Sequence, residues 1–275
     1  MEELLNDMKI AAVKAGNIAC NTHDINKHFK SDGTIVSNAD IASNEYLCKF
    51  FADNYSKLPL LSEENEDDPK RLDEREVLII DPLDGSSDFP ANKDASILIA
   101  LVRDGTPKLG VVYLPMRGIL FSSGPEQGFS LEYDPKIDHG MLTYSTSLNE
   151  LPHVNNATEL IIGSSVRDGE TKQRMYEFLN IPADRRVSSG GMGARMMDMA
   201  LGKTNLVISN PLEVKEWDVA AGHAILESLG FSVTDVYGNA IYYNKPKPIF
   251  DRGIMATNKI LKKQVMYKYE MFLRQ

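Results

Sequence analysis

The sequence predicts an α/β (α+β) protein of layered architecture, on three observations. Short apolar runs rich in β-branched residues, such as Val77-Leu78-Ile79-Ile80 and Leu160-Ile161-Ile162, read as buried strands. Between such runs, apolar residues recur at three- and four-residue intervals, the pattern of amphipathic helices. A stretch poor in apolar periodicity, 134–156, carries Pro135, Gly140, Pro152 and Asn155-Asn156 and separates two strand and helix series. The expected division is an N-terminal lobe, 1–145, and a C-terminal lobe, 146–275.

Each element follows from its own residues. Leu4, Leu5, Met8, Ala12, Ala15, Ala19 and Cys20 lie on one face of a helix from about Glu3 to His23. Ser31-Asp32-Gly33-Thr34 is a turn, after which Ser37 or Asn38 caps a second helix with Ile41, Tyr46, Leu47, Phe50 and Phe51 on its buried side. Leu58-Pro59-Leu60-Leu61 is a short strand, and the strand Val77 to Ile80 is expected to stop at Asp81, because Pro82 removes a backbone donor. Strands 95–102 and 108–114 join through Arg103-Asp104-Gly105-Thr106-Pro107, and 118–123 pairs with 128–133. In the second series, 160–162 is a strand, 171–179 a helix, and Ser188 to Arg195 a serine and glycine turn before helical spacing resumes at Met196 and stops at Gly202. The methionines there are expected core filler. Leu206-Val207-Ile208 is a strand and Glu216 opens a helix in which His223 is expected to be structural. The chain closes with a hairpin of 232–236 and 240–243, a strand at 254–256 and a helix from about Asn258.

Composition narrows the function. The 275 residues are 43% hydrophobic and 25% charged, as in an ordinary globular protein. A formal net charge of −9 argues against a nucleic-acid polymer as partner, since no basic stripe is present to neutralise phosphates. No run approaches the ~20 apolar residues of a membrane span, and the chain is expected to be cytoplasmic. Cys20 and Cys48 lack CxxC spacing and are expected to be buried free thiols.

The chemistry concentrates at Asp81-Pro82-Leu83-Asp84-Gly85-Ser86. Asp81, Asp84 and the Leu83 carbonyl form an all-oxygen set suited to a hard cation such as Mg²⁺. Gly85 and Ser86 supply backbone N–H groups and a hydroxyl suited to a phosphate, although a bare acidic turn capping a strand has the same composition. Asp40, Glu63, the Asp81/Asp84 pair and Asp218 each stand where a strand ends or a helix begins, where α/β folds gather ligands. Asp40 and Asp218 also suit a helix N-terminus as simple dipole complements. Of the acidic run after the strand, Glu63 and Glu64 are site candidates and Glu66, Asp67 and Asp68 are surface. So many carboxylates stay ionised together only beside cations, which implies two or more Mg²⁺ ions and in-line phosphoryl displacement. The glycine run Gly190 to Gly193 either receives an anion or merely connects elements.

Ser62-Glu63-Glu64, Asp81-Pro82-Leu83-Asp84-Gly85-Ser86 and Trp217-Asp218-Val219-Ala220-Ala221-Gly222 resemble the three signature blocks of the inositol monophosphatase superfamily of Mg²⁺-dependent, lithium-sensitive phosphomonoesterases. The wording Leu61-Ser62-Glu63-Glu64, Gly110-Val111-Val112-Tyr113-Leu114-Pro115 and Ala220-Ala221-Gly222-His223-Ala224 is most similar to the 3'(2'),5'-bisphosphate nucleotidase branch. The resemblance implies a five-layer αβαβα sandwich of the sugar-phosphatase type, with two sheets interleaved with helices. It implies that Glu63, Asp81 and the Leu83 carbonyl hold a first metal, that Asp81, Asp84 and Asp218 hold a second, and that a third binds near Glu63. Asp40, paired with Ser86, would orient and deprotonate the attacking water, Glu63 belongs to the same catalytic set, and Asp84, Gly85 and Ser86 would meet the scissile phosphate. Ser164, Gly190, Gly191 and Arg195 match positions lining the substrate pocket. The implied substrate is a small phosphate ester, 3'-phosphoadenosine 5'-phosphate, and a homodimer is compatible with the resemblance.

The chain departs from the branch in having Met192-Gly193-Ala194-Arg195 where Ser-Ser-Leu-Lys is usual, and in lacking an arginine between Ser209 and Glu216. The position at which inositol monophosphatases carry a glutamate for the inositol hydroxyls falls near Pro211, which weakens the inositol reading more. Inositol monophosphatase and fructose-1,6-bisphosphatase activities are the alternatives, and a non-catalytic nucleotide or metal sensor is the alternative of another class. An aspartyl-phosphate mechanism needs DxD, whereas the spacing here is DxxD.

Overall fold

The chain opens with α1 (Glu2–Asn21), the ribbon strands β1 (Lys27–Phe29) and β2 (Ile35–Ser37), and α2 (Asn38–Asn54). The first strand series is β3 (Leu60–Ser62), β4 (Glu76–Asp84), β5 (Ser96–Arg103), β6 (Thr106–Leu114), β7 (Ile119–Gly124) and β8 (Gly128–Tyr133). The short β9 (Lys136–Asp138), β10 (Met141–Thr143) and β11 (Thr146–Leu148) follow. The second series is β12 (Ile162–Ser164), α3 (Glu170–Phe178), β13 (Arg186–Ser188), α4 (Met192–Ala200) and β14 (Leu206–Ser209). It ends with α5 (Glu216–Ser228), β15 (Ser232–Thr234), β16 (Ile254–Thr257) and α6 (Lys262–Leu273). This computed structural model describes residues 1–274 except 31–32, 34, 90, 92–93, 127, 149–158 and 166–167. Ser31, Asp32 and Thr34 of the expected turn, and Pro152, Asn155 and Asn156 of the expected boundary, lie outside the described residues.

Two sheets carry the fold. One has seven strands in the order β11-β8-β7-β6-β5-β4-β3, antiparallel except for the parallel edge pair β3 and β4. The other has five in the order β13-β12-β14-β16-β15, with β13, β12 and β14 parallel. β11 pairs with β8, so the first sheet reaches Leu148 and the second begins at Ile162.

The layering follows from period-two burial, because successive side chains of a strand point to opposite faces. On β5, Ile97, Ile99 and Leu101 join Leu5, Met8, Leu47 and Phe51 of α1 and α2 in one core. The alternate residues Leu98, Ala100 and Val102 join Met196, Met197 and Ala221 of α4 and α5 in a second core, which Val207 of β14 completes from the other sheet. Leu206 and Ile208 face a third core with Met175 of α3 and Val265 of α6. The order is therefore α1 and α2, seven strands, α4 and α5, five strands, α3 and α6: the five-layer αβαβα sandwich expected. Helix α5 lies close on β6 because Gly110 has no side chain, a Cβ there standing 2.4 Å from the Ala221 carbonyl oxygen. The methionines of α4 are core residues, as expected, and no helix among the described residues is long and apolar enough to cross a membrane.

Several local expectations are corrected. Strand β4 does not stop at Asp81. Its pairing with β5 lapses over Pro82 and Leu83, where the proline has no N–H to give, and resumes at Asp84 opposite Ser96. Helix α4 begins at Met192, so Gly193, Ala194 and Arg195 form its first turn instead of a preceding loop. Residues 240–243 form no strand. Asp235 turns the chain by accepting the Tyr237 and Asn239 amides, and β15 pairs with β16. Tyr243 instead donates its N–H to the Gly105 carbonyl at the tip between β5 and β6. Cys20, in the last turn of α1, is exposed, and Ile41 is 42% exposed.

Candidate active site

Four backbone devices bring the acids together. The parallel pairing of β3 with β4 continues one residue through Glu63 N–H to Ile80 O at 3.2 Å, which sets Glu63 beside Asp81. The lapse at Pro82 lets Leu83 N–H bond back to Asp81 Oδ1 at 3.0 Å, so Asp81 and Asp84 both remain on the same short arc. Asp40 is the third residue of α2 and accepts the N–H of its N-cap Ser37 at 2.8 Å, as well as the Ser37 hydroxyl. Asp218 is the third residue of α5 and accepts the Lys215 N–H at 2.6 Å. Both helix-terminal acids therefore complement the dipole while also turning charge toward a shared centre.

A cavity of about 470 Å³ receives them. Its wall includes Glu63, Asp81, Leu83, Asp84, Gly85, Ser86, Gly190, Gly191, Arg195 and Asp218. Carboxylate oxygens of Asp81, Asp84 and Asp218 lie within 4.8 Å of one another. Two expected members stand back from the wall. Asp40 is buried at 2% exposure, and no hydrogen bond joins it to Ser86 among the described residues. Ser164 is buried at the end of β12, its carbonyl taken by Ser189 N–H at 3.0 Å, and the adjacent Ser165 reaches the cavity instead.

Asp84 is held differently from its neighbours. Its Oδ1 accepts Met192 N–H at 3.1 Å, and its Oδ2 accepts Gly193 N–H at 2.7 Å and the Ser96 hydroxyl at 3.1 Å. The carboxylate thus caps α4 across the interface between strand and helix. Only glycine permits this approach, since a Cβ on Gly191 would sit 2.1 Å from both Asp84 oxygens. Gly191→Ala is expected to push the two segments apart and destabilise the protein by about 1–3 kcal/mol. A lowered midpoint in urea checks it, and an unchanged midpoint would show that the loop yields freely.

The electrostatics ask for cations. Burial first, then the charges of Glu63, Asp84 and Asp218, hold the Asp81 carboxyl well above the usual range. Burial and the charges of Glu63 and Asp84 do the same to Asp218. Burial raises Asp84 as well, against the Gly193 and Met192 amides, Ser96 and the Arg195 charge. No described lysine, arginine or histidine stands at ion-pair distance from these three acids. An all-oxygen set of this kind fits a hard divalent cation.

The model of the inositol monophosphatase family matches residues 1–270. The chain belongs to that family. It is 30% identical over 268 residues to a 3'(2'),5'-bisphosphate nucleotidase CysQ of Aggregatibacter actinomycetemcomitans, covering 91% of this chain and 93% of that one. Among solved structures, an IMPase of Thermotoga maritima aligns over 100% of this chain and 99% of its own, with a TM-score of 0.76 at 19% identity. CysQ of Bacteroides thetaiotaomicron aligns over 92% and 97%, with a TM-score of 0.72 at 24% identity. At these identities the structural likeness is one of fold. Family membership and the acidic cluster together support a metal-dependent phosphatase.

Some neighbours of the site carried no sequence signal. Lys30 Nζ lies 3.1 Å from Glu63 Oε1 and 2.6 Å from Glu64 Oε1. Burial outweighs that lysine at Glu64, whose carboxyl is pushed up to about 7. Lys172 lines the cavity and pairs with Glu213 at 3.0 Å and Asp168 at 3.5 Å. A lone lysine at each of these positions looks like any solvated charge in one dimension.

Proposed function

We propose that this chain is a Mg²⁺-dependent phosphomonoesterase that cleaves the 3'-phosphate from 3'-phosphoadenosine 5'-phosphate, giving AMP and phosphate. The observation that carries the reading is the meeting of Asp81, Asp84 and Asp218 on the wall of a cavity that also holds Arg195. The name borne by the relative at 30% identity supports the substrate class.

In this reading Glu63, Asp81 and the Leu83 carbonyl would hold one cation, Asp81, Asp84 and Asp218 a second, and the surroundings of Glu63 a third. Divalent cations bound there supply charge neutralisation, acidify water and stabilise the leaving oxygen. The remaining work falls to the chain. Gly85, whose φ of 79° places it in the left-handed region, turns β4 into the 86–88 turn, and the Gly85 and Ser86 amides would cradle the scissile phosphate. The Ser86 hydroxyl and the Glu63 carboxylate share the cavity wall and would orient the attacking water. Burial raises the basicity of Glu63, the nearby charge of Asp40 adds to it, and Lys30 opposes both. Asp40, held by Ser37, would thus act on the water through Glu63. The water oxygen would bond to phosphorus, giving one proton by way of Glu63 to solvent, as the P–O ester bond breaks, and the departing 3'-oxygen would take a proton from solvent. Arg195 lines the cavity and its Nε donates to the Gly191 carbonyl at 3.3 Å, so the terminal nitrogens of its guanidinium would meet the second phosphate.

Phosphate release with Mg²⁺ from three substrates tests this: 3'-phosphoadenosine 5'-phosphate, inositol 1-phosphate and fructose 1,6-bisphosphate. The nucleotide is expected to have the highest kcat/KM, and Arg195→Met is expected to raise its KM by roughly tenfold or more, the loss of a charged hydrogen bond. Faster turnover of either sugar phosphate sinks the nucleotide assignment, and no turnover of any ester favours a sensor.

A further inference from the structure

Arg71 lies in the 69–73 turn, is 1% exposed, and spends its guanidinium on two separate segments. Its Nε and Nη2 donate to Asp67 Oδ1 and Oδ2 at 2.6 and 2.7 Å. Its Nη1 donates to Asn244 Oδ1 at 2.6 Å and its Nη2 to the Lys245 carbonyl at 3.0 Å. Asn244 returns a bond from Nδ2 to the Arg71 carbonyl at 2.9 Å. The Asn244 and Lys245 amides then donate to the fully buried carboxylate of Glu216 at 2.7 and 3.1 Å. Glu216 N–H is itself held by the Pro248 carbonyl at 2.9 Å.

The ends of this network matter. Asp67 stands four residues beyond Glu63, and Glu216 stands two residues before Asp218. One end belongs to the loop after β3 and the other to the start of α5, the two segments that bring Glu63 and Asp218 to the cavity. A buried ionic network contributes little net stability compared with apolar packing of the same shape. What it does supply is fixed geometry between groups that repel one another. We propose that Arg71, through Asn244 and Glu216, is a positioning unit that holds the loop bearing Glu63 and the helix bearing Asp218 at the separation that two neighbouring divalent cations need. The proposal rests on the reading of the acid cluster as a cation site.

The test measures Mg²⁺ binding to the chelator-stripped full chain by calorimetry, beside its melting temperature. Arg71→Lys keeps the charge and loses the fork, and it is expected to weaken Mg²⁺ binding roughly tenfold or more, as outer-sphere changes at metal sites do. Asn244→Gly removes the linking amide at a residue whose φ of 59° favours glycine, so the fold is kept, and the same weakening is expected. Glu132→Gln removes the buried ion pair of Lys9 and Glu132 between α1 and β8, neither of which lines the cavity, and is expected to lower the melting temperature with Mg²⁺ affinity unchanged. Native affinity in both Arg71→Lys and Asn244→Gly overturns the proposal, as does equal weakening in Glu132→Gln. A wild-type chain that binds no divalent cation removes the underlying reading, and this one with it.

Discussion

Asp81→Asn is expected to lower kcat by on the order of 10³-fold, as loss of a central electrostatic group does, while raising the melting temperature of the chelator-treated protein. The two effects share a cause. Asp81 is 1% exposed, and its carboxyl is held far above the usual range by burial and by the charges of Glu63, Asp84 and Asp218. An amide of the same shape keeps an oxygen for the Leu83 N–H and removes one member of the repelling set. The gain without cations is expected to be about 1–2 kcal/mol, the range in which strained functional sites are relieved. Asp84→Asn is a less clean probe, because both Asp84 oxygens accept N–H groups of α4 and Oδ2 also accepts Ser96. An NH₂ facing Gly193 N–H would leave a buried donor unpaired at about 1–3 kcal/mol. Asp84→Asn is therefore expected to lose stability as well as turnover. Phosphate release and scanning calorimetry on both variants check the contrast. A melting temperature lowered by Asp81→Asn would mean that its charge is compensated within the protein, and that the cluster does not need cations.

Much of this was legible in the sequence because the relevant signals are local. The run Val77 to Ile80 marks a strand, and Ser37 with Asp40 marks a helix start, without any knowledge of the partner elements, whereas the resumption of that strand beyond Pro82 depends on its partner Ser96. What stayed hidden depends on contacts between distant segments. Gly191 looks like a linker glycine until Asp84, 107 positions away in sequence, is seen to occupy the place of its missing side chain. Asp67 reads as one more acid in a solvated run, yet it pairs with the buried Arg71. The strand at 240–243 failed for a related reason: Asp235 closes the turn on itself and Tyr243 bonds to the first sheet. Asp40 shows a further limit. Family resemblance pairs it with Ser86, whereas its carboxylate is committed to Ser37 and touches the site through charge.

From about pH 5 to about pH 8 the protein stripped of divalent cations is expected to lose stability as the pH rises, and Mg²⁺ is expected to remove that loss. Asp81, Asp218, Asp84, Glu63 and Glu64 all have folded pKa values above their unfolded ones, burial being the first cause in each. Between those two values the folded state binds more protons than the unfolded state, so stability falls with rising pH until the raised groups have ionised. Glu64, pushed up to about 7, places part of that fall near neutrality. The acids held below their usual range, Asp104, Asp198, Glu213 and Glu227, act in the opposite sense, but their stabilising share is lost only as the pH falls below the ordinary carboxylate range. Lys30, raised by Glu63 and Glu64, keeps its charge across the whole window. At Mg²⁺ about 100-fold above its dissociation constant, binding contributes about 2.7 kcal/mol. In a chain of this size that is a rise of about 5–10 °C in melting temperature. The rise is expected to be larger at the alkaline end, where the acids are ionised without cost to the cation. Melting curves in chelator and in Mg²⁺ across the window measure both slopes. A flat profile in chelator, or a falling one that Mg²⁺ leaves untouched, would place the titrating groups away from the cation site.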